Sequence, residues 1–184
     1  MSNKNDLSSQ PEKKRLFFAL WPDDDVVQQI KQHALPFFAD CQGRRLHVHN
    51  WHITLAYFGM ADSETRACLE QQAQSIQSQP FALELQLTGF WPRPKVAWLA
   101  PKEMPPELGK LAHDLQQALV PCGYTPENRA YQPHISLVRK AQQSPAVSEI
   151  EPIKMQVGQF CLAESQTTKS GAEYSILKRW DLTG

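Results

Sequence analysis

The chain contains two copies of one short pattern, HITL beginning at His52 and HISL beginning at His134. Each copy follows an apolar strand-like segment, a proline that suits the first turn of a helix, and a loop containing glycine. The spacing also agrees, because 30 residues separate Pro22 from His52 and 29 separate Pro105 from His134. This agreement predicts a duplicated unit whose two copies pack about a pseudo-twofold axis.

The hydrophobic periodicity around these motifs predicts an α+β fold. Period-two and continuous apolar runs predict strands at 15–21, 51–58, 81–90, 96–100, 133–140, within 153–165 and at 172–180. Helices are predicted at 22–38, 62–78 and 105–120, with Asp62 as the N-cap of the second. We therefore expect a duplicated bilobal fold, in which two mainly antiparallel sheets line a central cleft and the helices lie outside. Residues 1–14 are expected to be a disordered tail, and 15–184 a single bilobal domain.

Composition limits the class of partner and the compartment. Nineteen basic residues balance nineteen acidic ones. Proteins that bind long stretches of nucleic acid usually carry an excess of basic residues. We therefore expect only a local contact with an RNA terminus or one phosphate. The four scattered cysteines include no CxxC pair and predict reduced, buried thiols in a cytosolic protein. The longest apolar run is too short to span a bilayer, so no membrane contact is expected.

The doubled motif supplies acid–base groups in pairs. Residues i and i+2 of a strand share a face, so His52 and Thr54 point one way and His134 and Ser136 point one way in the second copy. Opposed across a cleft, one imidazole can remove a proton from a nucleophile while the other protonates a leaving oxygen. The two hydroxyls can donate hydrogen bonds to non-bridging phosphate oxygens. A single copy would be read as ordinary exposed strand residues, but two matching copies favour the cleavage of a phosphodiester.

Several segments resemble the RNA 2′,3′-cyclic phosphodiesterases, also called 2′-5′ RNA ligases, of the two-histidine phosphoesterase superfamily. These segments are RLFFAL, HITLAYFG, GFWPRPKVAW, PHISLVR and ESQTTKSGAEYSIL, which together span most of the chain. The resemblance implies a bilobal fold, no metal and no other cofactor, and hydrolysis of RNA 2′,3′-cyclic phosphate ends to 2′-phosphomonoesters, with reverse 2′-5′ ligation as a second outcome. It also implies that His52 is the proton donor and His134 the proton acceptor. Ser136 stands where threonine is usual in the family, and it keeps the hydroxyl.

The resemblance implies further site residues and partners. Arg139 matches an arginine that the family uses near the phosphate, although strand parity places it with Ile135 and Leu137, away from the cleft. A β-bulge after Ser136 would resolve this conflict. Arg15 also occupies a family-typical position, but a solvated strand end is the stronger interpretation. Expected partners are RNA ends bearing a 2′,3′-cyclic phosphate, tRNA fragments among them, and the chain is expected to be a cytoplasmic monomer.

Aromatic side chains supply candidates for stacking on a base. Most are expected to belong to the core, and Tyr131, in the loop before His134, is the exception that we predict to contact substrate; the other candidates are Trp51, Tyr57, Trp91 and Trp98.

Two alternatives compete with this interpretation. The segment HVHNWH at 47–52 has the histidine spacing of a dimetal hydrolase and resembles the metallo-β-lactamase motif, but Trp51 stands where that motif needs an aspartate. A non-catalytic module that binds RNA ends or nucleotides is the second alternative. Binding alone would favour arginine and lysine over paired histidines and hydroxyls.

Overall fold

The computed structural model describes residues 12–143, 147–169 and 171–183. The strands are β1 (Lys14–Leu20), β2 (Arg44–Arg45), β3 (Ile53–Ala61), β4 (Phe81–Trp91), β5 (Val96–Pro101), β6 (Ile135–Arg139), β7 (Ser148–Val157), β8 (Gln159–Thr168) and β9 (Gly171–Asp181). The helices are α1 (Asp24–Gln29), α2 (Ser63–Ala73) and α3 (Pro106–Ala118). The predicted α+β class is confirmed, and every strand pair in the described residues is antiparallel.

The strands form one sheet in the order β7-β4-β5-β6-β3-β1-β8-β9, with β2 paired to β6. β3 and β6, which begin at the second residue of each histidine motif, meet at its centre through the single pair Ile53–Ile135. The two predicted sheets are thus joined into one at this narrow contact. The order is symmetric about it, since β1 and β8 flank β3 as β5 and β4 flank β6, and this symmetry supports the predicted duplication.

Several predicted boundaries differ from the structure. The helix predicted at 22–38 is helical throughout most of that range, but only α1 is α-helical, and a π-helical turn at Ile30–Ala34 and a 3₁₀ turn at Leu35–Phe38 follow it. The single strand predicted within 153–165 is two strands, β7 and β8, because β7 pairs with β4 in one half of the sheet and β8 pairs with β1 in the other, with Gly158 between them. The predicted cap of α2 is confirmed, since Asp62 Oδ1 accepts a hydrogen bond of 2.9 Å from Thr65 N.

The end of the predicted tail belongs to the sheet. β1 begins at Lys14, whose Nζ donates a hydrogen bond of 3.0 Å to Glu164 Oε2 on β8. Residues 1–11 of the predicted tail lie outside the described residues. None of the helices in 12–143, 147–169 and 171–183 has the length and apolar character needed to cross a membrane.

Alternation along β1 separates the hydrophobic core from the face that carries the histidine motifs. Leu16, Phe18 and Leu20 are fully buried in the main core, which contains the apolar faces of all three α-helices. Phe17 and Ala19 point to the opposite face of the sheet and form a small second cluster with Cys161 and Ala163, against which Trp21 and Tyr174 pack. This second cluster becomes one wall of the candidate site.

The prediction of four reduced cysteines is wrong for two of them. Cys68 on α2 and Cys122, in the 3₁₀ turn after α3, form a disulfide with a Cα–Cα distance of 5.7 Å, whereas Cys41 and Cys161 are free and buried. The residues are 54 positions apart, so no local sequence signal pairs them. They meet because α2 and α3 pack beside one another. The cytosolic location loses part of its support, because it rested on four reduced thiols.

Removing this cross-link should destabilise the protein measurably. Closing a loop of 54 residues reduces the entropy of the unfolded chain, and the stabilisation expected from that effect is about 4 kcal/mol. The double variant Cys68→Ser/Cys122→Ser should therefore unfold at a lower urea concentration than the oxidised protein. Dithiothreitol should shift the wild type to the same midpoint and leave the double variant unchanged. Equal midpoints for reduced and oxidised wild type would contradict the prediction.

Candidate active site

His52 is held by its own chain immediately before β3. The ring Nδ1 lies 2.8 Å from the carbonyl oxygen of Asn50, which can only accept, so Nδ1 carries a proton and donates it. The other ring nitrogen, Nε2, lies 3.1 Å from Thr54 Oγ1. The predicted pairing of His52 and Thr54 on one face is thus present, and Nε2 is the nitrogen that can gain or lose a proton beside the hydroxyl.

His134 repeats this arrangement immediately before β6. Its Nδ1 lies 2.9 Å from the carbonyl oxygen of Gln132, again two residues earlier in the chain. The same tautomer follows, because a carbonyl oxygen accepts and Nδ1 must donate. Both motifs therefore orient the imidazole through the backbone and leave Nε2 for chemistry.

β-Bulges on β3 and β6 decide which later residues face the site. Ala97 of β5 pairs with Val138 of β6, and Trp98 of β5 pairs with Ser136 of β6. Leu137, which lies between Ser136 and Val138, therefore has no partner on β5. Leu137 and Val138 are consequently both buried, and Arg139 lies on the same face as Ser136. The bulge predicted after Ser136 is confirmed. The conflict between strand parity and Arg139 is thereby resolved.

β3 has a matching bulge. Phe18 pairs with Ala56 and Ala19 with Thr54, so the register passes over Leu55. Tyr57 therefore shares the face of Thr54, as Arg139 shares that of Ser136. Tyr57 is half exposed (50%) and lies in this copy at the position that corresponds to Arg139.

Burial lowers the pKa of His52 to about 4. Its ring stacks on Trp21 at a centroid distance of 5.0 Å and meets the Tyr174 ring edge to face at 5.0 Å. The hydrogen bond to the Asn50 carbonyl raises the pKa, while the positive charges of Arg139 and His134 lower it further. His52 is therefore a neutral imidazole near pH 7.

The pKa of His134 is also lowered, and burial is again the largest cause. Trp91 packs edge to face against the ring at 4.4 Å. The Gln132 carbonyl opposes the shift, and the charges of Arg129 and Arg139 add to it. A neutral His134 offers the Nε2 lone pair as a proton acceptor at physiological pH.

Three adjoining cavities bring the two motifs together. Thr54 and His134 line a cavity of about 350 Å³. Arg139 lines a second of about 250 Å³ with His52 and Thr54, and a third of about 650 Å³ with His134 and Ser136. The predicted residues of both motifs thus surround one region, and Arg139 is common to both sides of it.

Two arginines reach this region in different ways. Arg139 Nε is buried and has no hydrogen-bond partner among the described residues, so a donor is available inside the site. Arg15 lines the same cavity as His52, and its Nη1 donates a hydrogen bond of 3.3 Å to Thr167 Oγ1. Arg15 is therefore half-buried beside His52, where a solvated strand end was the stronger expectation.

The aromatic candidates divide into core and site residues. Trp51 is buried in the core, as expected for most of this group. Trp91 packs against His134 and Trp98, so contacts within the protein fix the orientation of its ring. Tyr131 lines the cavity of Thr54 and His134, and its hydroxyl donates a hydrogen bond of 2.9 Å to the Thr54 carbonyl. Tyr131 therefore links the loop before His134 to β3, and contact with substrate stays a prediction.

Sequence reasoning missed the walls around His52. Trp21 follows β1, and Tyr174 lies on β9 at the far end of the chain. Both contact the His52 ring only because β1 lies between β3 and β8 in the sheet. No local motif marks either residue, whereas Asn50 could have been identified from its position two residues before the histidine.

The HVHNWH segment does not assemble as the metal motif would require. The rings of His47 and His49 stack on one another at 4.8 Å, while His52 lies in a different cavity. Across the parts of the chain that the structure describes, no three His, Cys, Asp or Glu side chains are grouped so as to hold a metal ion. The donor set for the dimetal alternative is therefore not assembled in these residues.

Comparisons with known proteins agree with the geometry. A family model described as the 2′-5′ RNA ligase superfamily matches residues 19–169. The RNA 2′,3′-cyclic phosphodiesterase of Escherichia coli is 34% identical over 175 residues, covering 94% of this chain and 98% of the relative. The protein of the same name from Archaeoglobus fulgidus is 28% identical, covering 89% of this chain and 98% of the relative. The crystal structure of E. coli LigT complexed with 3′-AMP superposes with a TM-score of 0.86 at 32% identity, covering 94% of this chain and 100% of that one.

Proposed function

The chain belongs to the 2′-5′ RNA ligase superfamily, and on that premise we propose that it hydrolyses 2′,3′-cyclic phosphates at RNA ends to 2′-phosphomonoesters. The observation that carries the proposal is the paired geometry of His52 and His134. Each donates from Nδ1 to a carbonyl two residues earlier, and each keeps Nε2 for proton transfer in adjoining cavities.

The reaction assigns one role to each member of the two motifs. His134 accepts a proton from water as it attacks phosphorus, and His52 donates a proton to the departing 3′-oxygen. The Thr54 and Ser136 hydroxyls and the Arg139 guanidinium donate hydrogen bonds to the non-bridging oxygens, where negative charge grows. The buried Nε of Arg139 supports this role, because a phosphate would supply the acceptor that the described residues lack.

The lowered pKa values predict the pH dependence of the reaction. Without substrate, the pKa of His52 is about 4 and that of His134 is below its ordinary value, so kcat/KM should be bell-shaped with limbs on the acid side of 6.5. A bound phosphate stabilises an imidazolium and raises both pKa values, so the limbs of kcat should lie at higher pH. Steady-state kinetics from about pH 4 to 9 test this prediction. Because the two histidines titrate as a coupled pair, the apparent pKa values of the two limbs belong to the pair and not to either residue alone. A flat profile with rate-limiting chemistry would contradict it.

The product of the reaction tests the proposed function directly. An RNA ending in a 2′,3′-cyclic phosphate should yield the 2′-phosphate rapidly, with EDTA present and no ATP. Joining to an added 5′-hydroxyl RNA should be slow and reversible, because that hydroxyl must compete with water and requires binding at high effective molarity. Dominant joining at low micromolar RNA, a 3′-phosphate product, or activity that is lost with EDTA and restored by zinc or manganese would refute the assignment.

The finer identity of the substrate and setting follows from the same site. RNA fragments that end in a cyclic phosphate, tRNA fragments among them, fit a chain whose net charge is zero, since only the terminus needs to be held. We expect the chain to act as a monomer in the cytosol. A non-catalytic module that binds RNA ends is the remaining alternative, and it predicts binding of cyclic-phosphate RNA without turnover.

A further inference from the structure

A groove beside the His52 cavity is lined by a cluster of basic side chains that the proposed function does not use. We name it the basic groove, and its basic residues are Arg44, Arg45, His47 and His49. Its volume is about 840 Å³, and among the described residues that line it Glu173 is the acidic one. The net charge of the chain is zero, yet two arginines and two histidines line this one groove.

The basic groove is continuous with the region of the two motifs. It shares Ala172 and Tyr174 with the His52 cavity, and it shares Arg44 with the cavity of His134 and Arg139. A ligand in the groove would therefore lie next to a phosphate held between the two histidines.

The wall of the basic groove is built by close packing. Asn50 Nδ2 donates a hydrogen bond of 2.8 Å to the Ala172 carbonyl, which ties the segment before His52 to β9. The Arg44 guanidinium lies directly over Gly171, where any β-carbon would collide with it, and Gly171 has a φ of 133°. Both contacts keep the charged segment beside the β8–β9 turn.

The chemistry of a cyclic-phosphate end determines where the rest of the RNA must go. A 2′,3′-cyclic phosphate closes the 3′ end, so the strand can continue only through the 5′-oxygen of the terminal ribose. The 5′-carbon is joined to C4′, and C4′ is joined to C3′, which carries the departing oxygen. If His52 protonates the 3′-oxygen, the strand leaves the site on the His52 side, and the basic groove adjoins that side.

A second opening near the motifs suits an RNA backbone less well. The cavity of Thr54 and His134 is lined by aromatic and aliphatic side chains, and its charged residues Glu127 and Arg129 pair with one another. A base fits such a surface better than a phosphodiester does.

We propose that the basic groove binds the phosphodiester that precedes the terminal nucleotide, so the enzyme prefers oligonucleotide over mononucleotide cyclic phosphates. The proposal rests on the proposed function. It adds a second phosphate site, which distinguishes an oligonucleotide from a mononucleotide. The site does not distinguish one base sequence from another, because contacts to phosphate carry no base information. Arg45 and His49, both exposed, are the side chains through which it is tested.

The experiment compares adenosine 2′,3′-cyclic phosphate with the dinucleotide ApA ending in a 2′,3′-cyclic phosphate. The ratio of their kcat/KM values should favour the dinucleotide in the wild type and fall roughly threefold to tenfold in Arg45→Ala/His49→Ala. Arg45→Lys should retain most of the preference. Lys154→Ala, an exposed residue on β7 at the opposite edge of the sheet, serves as the control and should leave the ratio unchanged.

Two further measurements separate this proposal from the proposed function. Replacing the internal phosphodiester of ApA by a neutral methylphosphonate should abolish the preference and make the salt dependence of kcat/KM shallower by about 0.7 in log–log slope. Calorimetric binding of the two 2′-phosphate products should show the same preference even if turnover fails. A length preference that is absent from both measurements, or that survives Arg45→Ala/His49→Ala or the methylphosphonate, would overturn the groove assignment. Absent turnover of both substrates would overturn the proposed function instead.

Discussion

Replacing either His52 or His134 by alanine should lower kcat for cyclic-phosphate opening by roughly 10²–10⁴-fold or more. Each variant removes one of the two groups that exchange protons during the reaction. Folding should survive, because the apolar residues of both motifs, Ile53 and Ile135 among them, form the core while the histidines lie on the opposite face. Stopped-flow or steady-state assays on each purified variant, with circular dichroism to check folding, provide the measurement.

His113→Ala is the matched control for the histidine variants. His113 is exposed on α3, so its replacement should leave kcat within about twofold of the wild type. The double variant His52→Ala/His134→Ala should be little worse than either single variant, since residues that act as a unit are not additive. A folded single variant that keeps wild-type activity would rule out the two-histidine mechanism.

Arg139→Ala should lower kcat/KM by about 10²–10³-fold, because a guanidinium aimed at the phosphate stabilises charge that grows in the transition state. Arg139→Lys should recover only part of this loss, since an ammonium keeps the charge without the planar fork. Removing the charge should also move the limbs of the pH profile upward, because Arg139 lowers the pKa of both His52 and His134. This displacement would not follow from a purely structural role.

The control for Arg139 is Arg179→Ala. Arg179 is exposed on β9 and lines neither of the cavities that contain Arg139, so its loss should change kcat/KM by less than about threefold. An Arg139→Ala variant no more affected than Arg179→Ala would show that Arg139 does not act on the phosphate.

Much of the proposed site was predictable because its signals are local. A strand exposes alternate residues on one face, so the spacing within HITL and HISL already placed each histidine beside its hydroxyl. Because that pattern occurs twice, at nearly equal distances from a proline, ordinary surface strands do not explain it. The family membership predicted from these segments is confirmed by the match over residues 19–169.

Arg139 shows where local reasoning reached its limit. Periodicity alone placed it on the wrong face, and a bulge could be proposed only because the resemblance demanded one. The bulge itself arises from pairing between β5 and β6, where Trp98 and Ala97 meet Ser136 and Val138. Register belongs to two strands, so one strand's sequence does not contain it.

The sequence by itself determined the class of the fold, the two motifs and the chemistry that their side chains can perform. Only the tertiary structure decided what surrounds them. The aromatic wall of Trp21 and Tyr174, the Cys68–Cys122 bond and the basic groove all join residues far apart in the chain. Such contacts depend on the order of strands in the sheet and on helix packing. The free energy of those arrangements is distributed over the whole core, whereas helix caps, strand faces and motif spacing are set within a few residues.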